Sequence, residues 1–366
     1  YSKYLIFFAI NLFLISGTIF YNRFLLFTAC FFSIASFILS NKRKLFLNDL
    51  IFFFIVFGGF LFQLGRGWGV SFAALFLISS WCIARGLMQY DFRRLIFVIY
   101  LIASVYFYVG VFGLNNPPED LVIGSHNRIS SVFLAIGILL YFVDKKLKPH
   151  HSLNIFIICV ISQGSAGIIS SFLLLIFVYM NYYKGNLIFW TLFIASFTSI
   201  FLFILSTITE DAFLFETLMK LDWGRLTGED IRFQIISSYI SQMNDSFINF
   251  FSGVKDWTFT GESSYNNEIS SLSNVHNSYL DAHLAFGIFG IIYIIFLLVI
   301  LCKTFFVSKF YAFIYLVILI RAFADTNFIT SGYYNFAIII FLTLTYKDYF
   351  IYNRTIYKKL HIQNAN

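Results

Sequence analysis

Arg66, Arg128, Arg232, His276, Arg321 and Asp325 stand at the ends of long apolar runs rather than inside them. A guanidinium grips phosphate oxygens two at a time, so several around one point suit a pyrophosphate. Arg66 sits in Gly65-Arg66-Gly67-Trp68-Gly69, where it also reads as an interfacial residue beside an aromatic belt. Arg128 opens an apolar run after Gly124-Ser125-His126-Asn127. Arg321 lies four residues before Asp325, which fits either a self-satisfying i,i+4 ion pair or an anion site. Arg232 falls in the first turn of an amphipathic stretch, where free backbone N–H groups favour an anion. Glu229 and Asp230 oppose that, or cap the helix. Arg225 is a further guanidinium of the same loop. His276 precedes Asn277 at the mouth of an apolar run. A neutral imidazole there can take a hydroxyl proton, or act as a plain hydrogen-bonding anchor. His150, His151 and His361 read as idle. The cysteines Cys30, Cys82, Cys159 and Cys302 are scattered without a CxxC spacing, so neither a disulfide nor a metal site is expected.

These groups need elements to bring them together, and composition says which. Of 366 residues, 59% are hydrophobic, 22% aromatic and only 12% charged, with a mean hydropathy of +0.80. That excludes a disordered chain, a coiled coil and an ordinary soluble enzyme. The apolar runs are continuous rather than alternating, which excludes an outer-membrane barrel. An all-α, polytopic membrane bundle of about twelve helices remains. The expected spans are 4–20, 24–40, 50–64, 70–84, 95–112, 129–143, 153–163, 166–180, 187–208, 278–301, 310–324 and 332–346. Lys3 precedes the first, signal-peptide fashion, but no small-residue cleavage site follows, so it is expected to be retained.

Charge sets the orientation. With the N-terminus inside, 17 of the 25 Lys and Arg residues fall on the inner side with four acids, Asp49, Asp91, Asp144 and Asp348. Such a split favours an N-in, C-in topology. The chain then divides into spans one to nine (1–208), an outer loop (209–277), spans ten to twelve (278–346) and an inner tail (347–366). The net charge of +7 therefore reflects sidedness and does not imply nucleic acid as a partner.

The outer loop holds ten acids and four bases. Within it, Ile231, Ile235, Tyr239, Met243 and Phe247 recur every four residues, which predicts an amphipathic helix over 229–251 lying on the outer face of the bundle. Gly261–Asn274 reads as a mobile Ser/Asn-rich loop. The turn Ser162-Gln163-Gly164-Ser165-Ala166-Gly167 reads as a tight outer turn or as a polar notch where a ligand approaches the backbone, the second being favoured. His276, Leu280, His283 and Gly287 share a helix face by spacing, and Gly287 with Gly290 would allow close helix approach. Mid-membrane charge is nearly absent, which disfavours a transporter.

The run Val275-His276-Asn277-Ser278-Tyr279-Leu280-Asp281, continuing through Phe286-Gly287-Ile288-Phe289-Gly290, resembles the His-Asn-x-Tyr-Leu…Gly-x-x-Gly segment of the bacterial O-antigen polymerase and ligase superfamily. Thr227–Ser238 is similar to that family's Arg-led helix, with Arg232 at the Arg position. Ser162–Ser171 is similar to its Ser-Arg-Gly turn, except that Gly164 and Ala166 stand where a basic residue is common. Gly124–Ser131 is a looser match. Together these cover about the second two-thirds of the chain.

The resemblance implies a GT-C-like glycosyltransferase of the bacterial inner membrane, acting at the periplasmic face without cofactor or metal. The donor would be a glycan on undecaprenyl pyrophosphate. It implies His276 and Arg232 as catalytic residues. Arg128, Arg321, Asn277, Asp325, Arg66 and Arg225 would bind substrate. An O-antigen polymerase, accepting a second lipid-linked repeat unit, is preferred. The alternatives are an O-antigen ligase, accepting lipid A-core, and, further off, a lipid-linked oligosaccharide flippase. Membrane lipid and a chain-length regulator protein are the implied partners.

Overall fold

The computed structural model describes residues 2–19, 22–39, 45–63, 68–89, 92–121, 126–144, 146–162, 165–183, 231–255, 257–262, 269–272, 277–323 and 337–348. The expected span 187–208 and the residues Arg66, Arg225, His276 and Asp325 lie outside them.

The apolar runs are helical, because only a helix satisfies its backbone from within where side chains offer no polar partner. The first eight are α1 (Ser2–Ile19), α2 (Arg23–Ile38), α3 (Leu47–Phe62), α4 (Trp68–Gln89), α5 (Arg93–Tyr108), α6 (His126–Val143), α7 (His150–Ile161) and α8 (Ser165–Tyr182). Polar residues set several starts. Asn22 begins α2 by accepting from the backbone N–H of Phe24 and Leu25. α5 continues into a wider turn, Val109–Gly113, before the chain leaves through Pro118–Leu121.

The outer loop contributes α9 (Ile231–Asn244), α10 (Phe247–Ser252) and an antiparallel hairpin, β1 (Phe259–Glu262) with β2 (Ile269–Leu272). Two expectations change here. The single helix over 229–251 is interrupted at Asp245-Ser246, where Ser246 caps a second helix through the Asn249 N–H at 3.0 Å. Part of the expected loop Gly261–Asn274 is paired strand.

The chain closes with α11 (Ser278–Phe286), α12 (Ile288–Val307), α13 (Lys309–Ala322) and α14 over 337–348. The expected span 278–301 is thus two helices, α11 and α12, meeting at Gly287. Gly287 has φ +59°, and a Cβ there would lie 2.2 Å from the Phe251 carbonyl oxygen. The chain folds back so tightly that a Cβ on Gly290 would lie 2.0 Å from the Ala282 carbonyl oxygen. The glycines do permit close approach, but of α12 to its own predecessor.

Among the described residues, two helices are long and apolar enough to cross a membrane, Arg93–Gly113 with 21 residues and Ile288–Val307 with 20. Most of the remaining apolar helices are shorter. Leu47–Phe62, with 16 residues, reaches about 24 Å against a hydrocarbon layer of about 30 Å. α6 is the hub, buried at every residue from Ile129 to Phe142 and packed on α5, α7 and α8. Between α1, α5 and α6 lies an apolar cavity of about 280 Å³, lined by Phe8, Leu12, Ile99, Phe107, Ile129 and Phe133 among others. α2 and α3 turn Phe24, Phe31, Leu47, Phe54 and Leu61 outward.

Candidate functional site

Three helix ends meet around the residues singled out above: the start of α6, the start of α11 and the end of α13. Asn277 begins α11 because its Oδ1 accepts from the N–H of Tyr279 at 3.0 Å and of Leu280 at 3.2 Å. Its Nδ2 donates to the Phe323 carbonyl at 3.3 Å, just past α13. Tyr279 adds a second tie by donating its hydroxyl to the Leu319 carbonyl at 2.8 Å. The Asn277 side chain is therefore occupied in building the junction rather than held open for a ligand, which departs from the expected substrate contact. The junction fixes the chain immediately after His276.

Arg321 occupies the last turn of α13, where the helix dipole favours a cation. It is 1% exposed, so its guanidinium is packed within the protein. Its Nη2 donates to Ser131 Oγ on α6 at 3.0 Å. Arg128 stands half-buried in the first turn of the same helix, three residues before Ser131. A seam of small hydroxyls surrounds this point, with Ser130, Ser131, Ser162, Ser170 and Ser171 all buried. At the expected notch, a Cβ on Gly167 would meet Ser130 Cβ and Oγ at 2.3 Å. That glycine serves the packing of α8 on α6, while Gln163 and Gly164 of the same turn lie outside the described residues.

Arg232 is placed by its backbone as the second residue of α9. α9 is fastened to α11 by a contact that sequence reasoning passed over. His283, buried within α11, holds Tyr239 with one ring nitrogen and Phe250 with the other. The Phe250 carbonyl can only accept, so Nε2 carries the proton and donates to it at 2.7 Å. In the neutral ring Nδ1 then accepts from the Tyr239 hydroxyl at 2.8 Å. Ile235, Tyr239, Val254 and Trp257 form the small core beneath this clasp. The shared helix face of His276 and His283 is the only trace of this contact in the sequence.

A second polar cluster lies away from this junction. Asp49 at the start of α3 accepts from Arg85 Nη2, from Trp81 Nε1 at 2.7 Å and from the Phe46 N–H at 2.8 Å. The Arg85 guanidinium also lies over the Phe46 ring, 4.6 Å from its centroid. Asn48 donates to Asp348 Oδ1 at 3.0 Å, bringing in the end of α14. Burial, and secondarily the Asp49 carboxylate, push the Asp348 carboxyl up to about 6. Burial likewise pushes His151 down to about 4, so it is neutral at pH 7. Among the described residues no group of three or more His, Cys, Asp and Glu is arranged to hold a metal ion.

Comparison with family models, with curated proteins and with solved structures returns no match for this chain.

Proposed function

We propose that this chain is an O-antigen polymerase, or the polymerase of a related surface polysaccharide. It would be a polytopic, GT-C-like bundle of about twelve spans in the bacterial inner membrane, with both termini cytoplasmic and the site periplasmic. The observation that carries the reading is the junction of the α6, α11 and α13 ends. It ties Arg321 to α6 at Ser131, one turn from Arg128, and to the chain just after His276, while the His283 clasp ties the helix bearing Arg232 to the same α11. Two features support a membrane setting. The exposed aromatic faces of α2 and α3 are surfaces that lipid solvates better than water. The ends carrying Asp49, Arg85 and Asp348 also meet, and the expected topology puts all three on one side.

In this reading an acceptor sugar hydroxyl attacks the anomeric carbon of a glycan on undecaprenyl pyrophosphate. The new C–O bond forms as the bond to the pyrophosphate oxygen breaks, with inversion. His276 takes the hydroxyl proton. Arg232, with Arg128 and Arg321, stabilises the charge gathering on the departing pyrophosphate. Asn277 positions His276, Asp325 orients the sugar, and Arg66 and Arg225 complete the anionic contacts.

The test is reconstitution with a purified undecaprenyl-pyrophosphate repeat as sole substrate. A ladder of products is expected, and His276→Ala should lower its rate by about 10²–10⁴-fold. A single unchanged species, both alone and with a chain-length regulator added, would overturn the reading. Transfer only when lipid A-core is supplied would assign the ligase instead.

A further inference from the structure

We infer that α10 is a lipid-seated wedge, with Phe247 and Ile248 inserted among the acyl chains of the leaflet nearest the outer loop. The inference rests on the membrane setting above and not on the glycosyl transfer.

The four-residue stripe that buries Ile235 and Tyr239 would, in an unbroken helix, carry Phe247 into the same small core. The break at Asp245-Ser246 turns it away. Phe247 is 76% exposed and Ile248 73%. This exposure is built in, because α10 is held at several backbone points. Asn249 Nδ2 donates to the Gln242 carbonyl at 2.8 Å, the Phe250 carbonyl accepts from His283, and Gln63 Nε2 donates to the Ser252 carbonyl. The Phe251 carbonyl fills the space that Gly287 leaves open. A segment fixed this firmly has no freedom to tuck its large apolar side chains inward.

Its attachments also say what covers it. Gln63 immediately follows α3, and Gly287 immediately precedes the membrane-length helix α12, so α10 rests at the level where two apolar helices end. At that level Leu61 and Phe62 of α3 also face outward, 61% and 48% exposed. The exposed side chains of α10 and the outward apolar face of α3 are thus tied to the same helix end through Gln63 and Ser252. The sequence of α10, Phe-Ile-Asn-Phe-Phe-Ser, has no charge to oppose entry into lipid. Short uncharged aromatic segments of this kind partition into the headgroup and acyl boundary.

The test uses nitroxide labels on introduced cysteines in the full chain, with Cys302→Ser as background because Cys30, Cys82 and Cys159 are buried, and the protein in phospholipid nanodiscs. Phe247→Cys and Ile248→Cys are compared with Ile295→Cys, in the middle of α12 and 55% exposed, and with the exposed Lys255→Cys. The expected result is collision with oxygen several-fold above collision with a water-soluble nickel chelate at 247, 248 and 295, and the reverse at 255. Chelate accessibility at 247 and 248 with lipid-like behaviour at 295 would overturn the wedge and leave the membrane setting intact. Chelate accessibility at 295 as well would overturn both. Exclusion of both probes with spin–spin broadening would mean that a second copy covers α10, which also overturns the proposal. Two label positions are used so that a folding defect in one leaves the other to decide.

Discussion

His283 illustrates how a buried side chain can organise a site without touching substrate. Replacing it by Ala strands the Phe250 carbonyl and the Tyr239 hydroxyl, at about 1–3 kcal/mol for each buried partner left unsatisfied. Thermal unfolding in detergent should show the loss, and it should accompany release of α9 and α10 rather than collapse of the bundle. The Asp49–Arg85 pair behaves differently. Arg85→Ala leaves a buried carboxylate uncompensated, which costs about 3–5 kcal/mol, readable as reduced yield of folded protein. Asp348 supplies a pH dependence. Its carboxyl titrates near 6 in the fold against an ordinary 3.8, so the native state holds the proton more tightly. Stability from this group is full below about pH 4 and declines as pH rises to about 6. Asp348→Asn should flatten that decline and raise the unfolding temperature at pH 7 relative to the native chain. The residue types at the candidate site were legible in the sequence, since guanidinium and imidazole groups at the ends of apolar runs stand out. The partners were not: Ser131 lies 190 residues from Arg321, and Tyr239 lies 44 from His283. Only the fold supplies such pairings.

Elements were legible where periodicity or apolar length is strong, and obscure where one residue redirects the chain. The stripe Ile235-Tyr239-Met243 marks the inner face of α9 correctly. It fails at Phe247 because Ser246 offers its hydroxyl to a new helix start, a local preference that outweighs a fourth repeat. The continuous apolar run from 278 onward hides the bend at Gly287, since hydropathy cannot register a positive φ. Gly287→Ala should therefore be costly. At φ +59° and ψ −134° the backbone lies outside the αL well, which costs a non-glycine residue about 1–3 kcal/mol, and the new Cβ would also strike the Phe251 carbonyl. Hydrogen exchange should show faster exchange across Phe247–Ser252 in this variant while α6 stays protected. The Ser162–Gly167 turn teaches the converse. A Gly/Ser cluster read as an opening for ligand is, at Gly167, a site of helix contact, and sequence spacing does not separate the two uses.

For the molecule as a whole, the charge count and the apolar excess point to the class, predominantly helical with helices of membrane length, while the hairpin, the chain reversals and the tertiary contacts stay hidden. The orientation has a direct check. In sealed vesicles with the outer loop facing the reagent, a membrane-impermeant thiol label should modify Lys255→Cys at once and Lys148→Cys only after permeabilisation. The opposite pattern would invert the topology.

The apolar cavity between α1, α5 and α6 carries a mechanical consequence. Among the described residues, the other flank of α6 is knitted by small buried hydroxyls and the buried Arg321 guanidinium. Beside α1 lies the partly open apolar pocket of about 280 Å³. Hydrostatic compression acts first on such voids, so α1 should shift under pressures that leave the α6–α8–α13 block in place. The protein has a stiff side, where the arginines are held, and a yielding side, where the bundle can breathe.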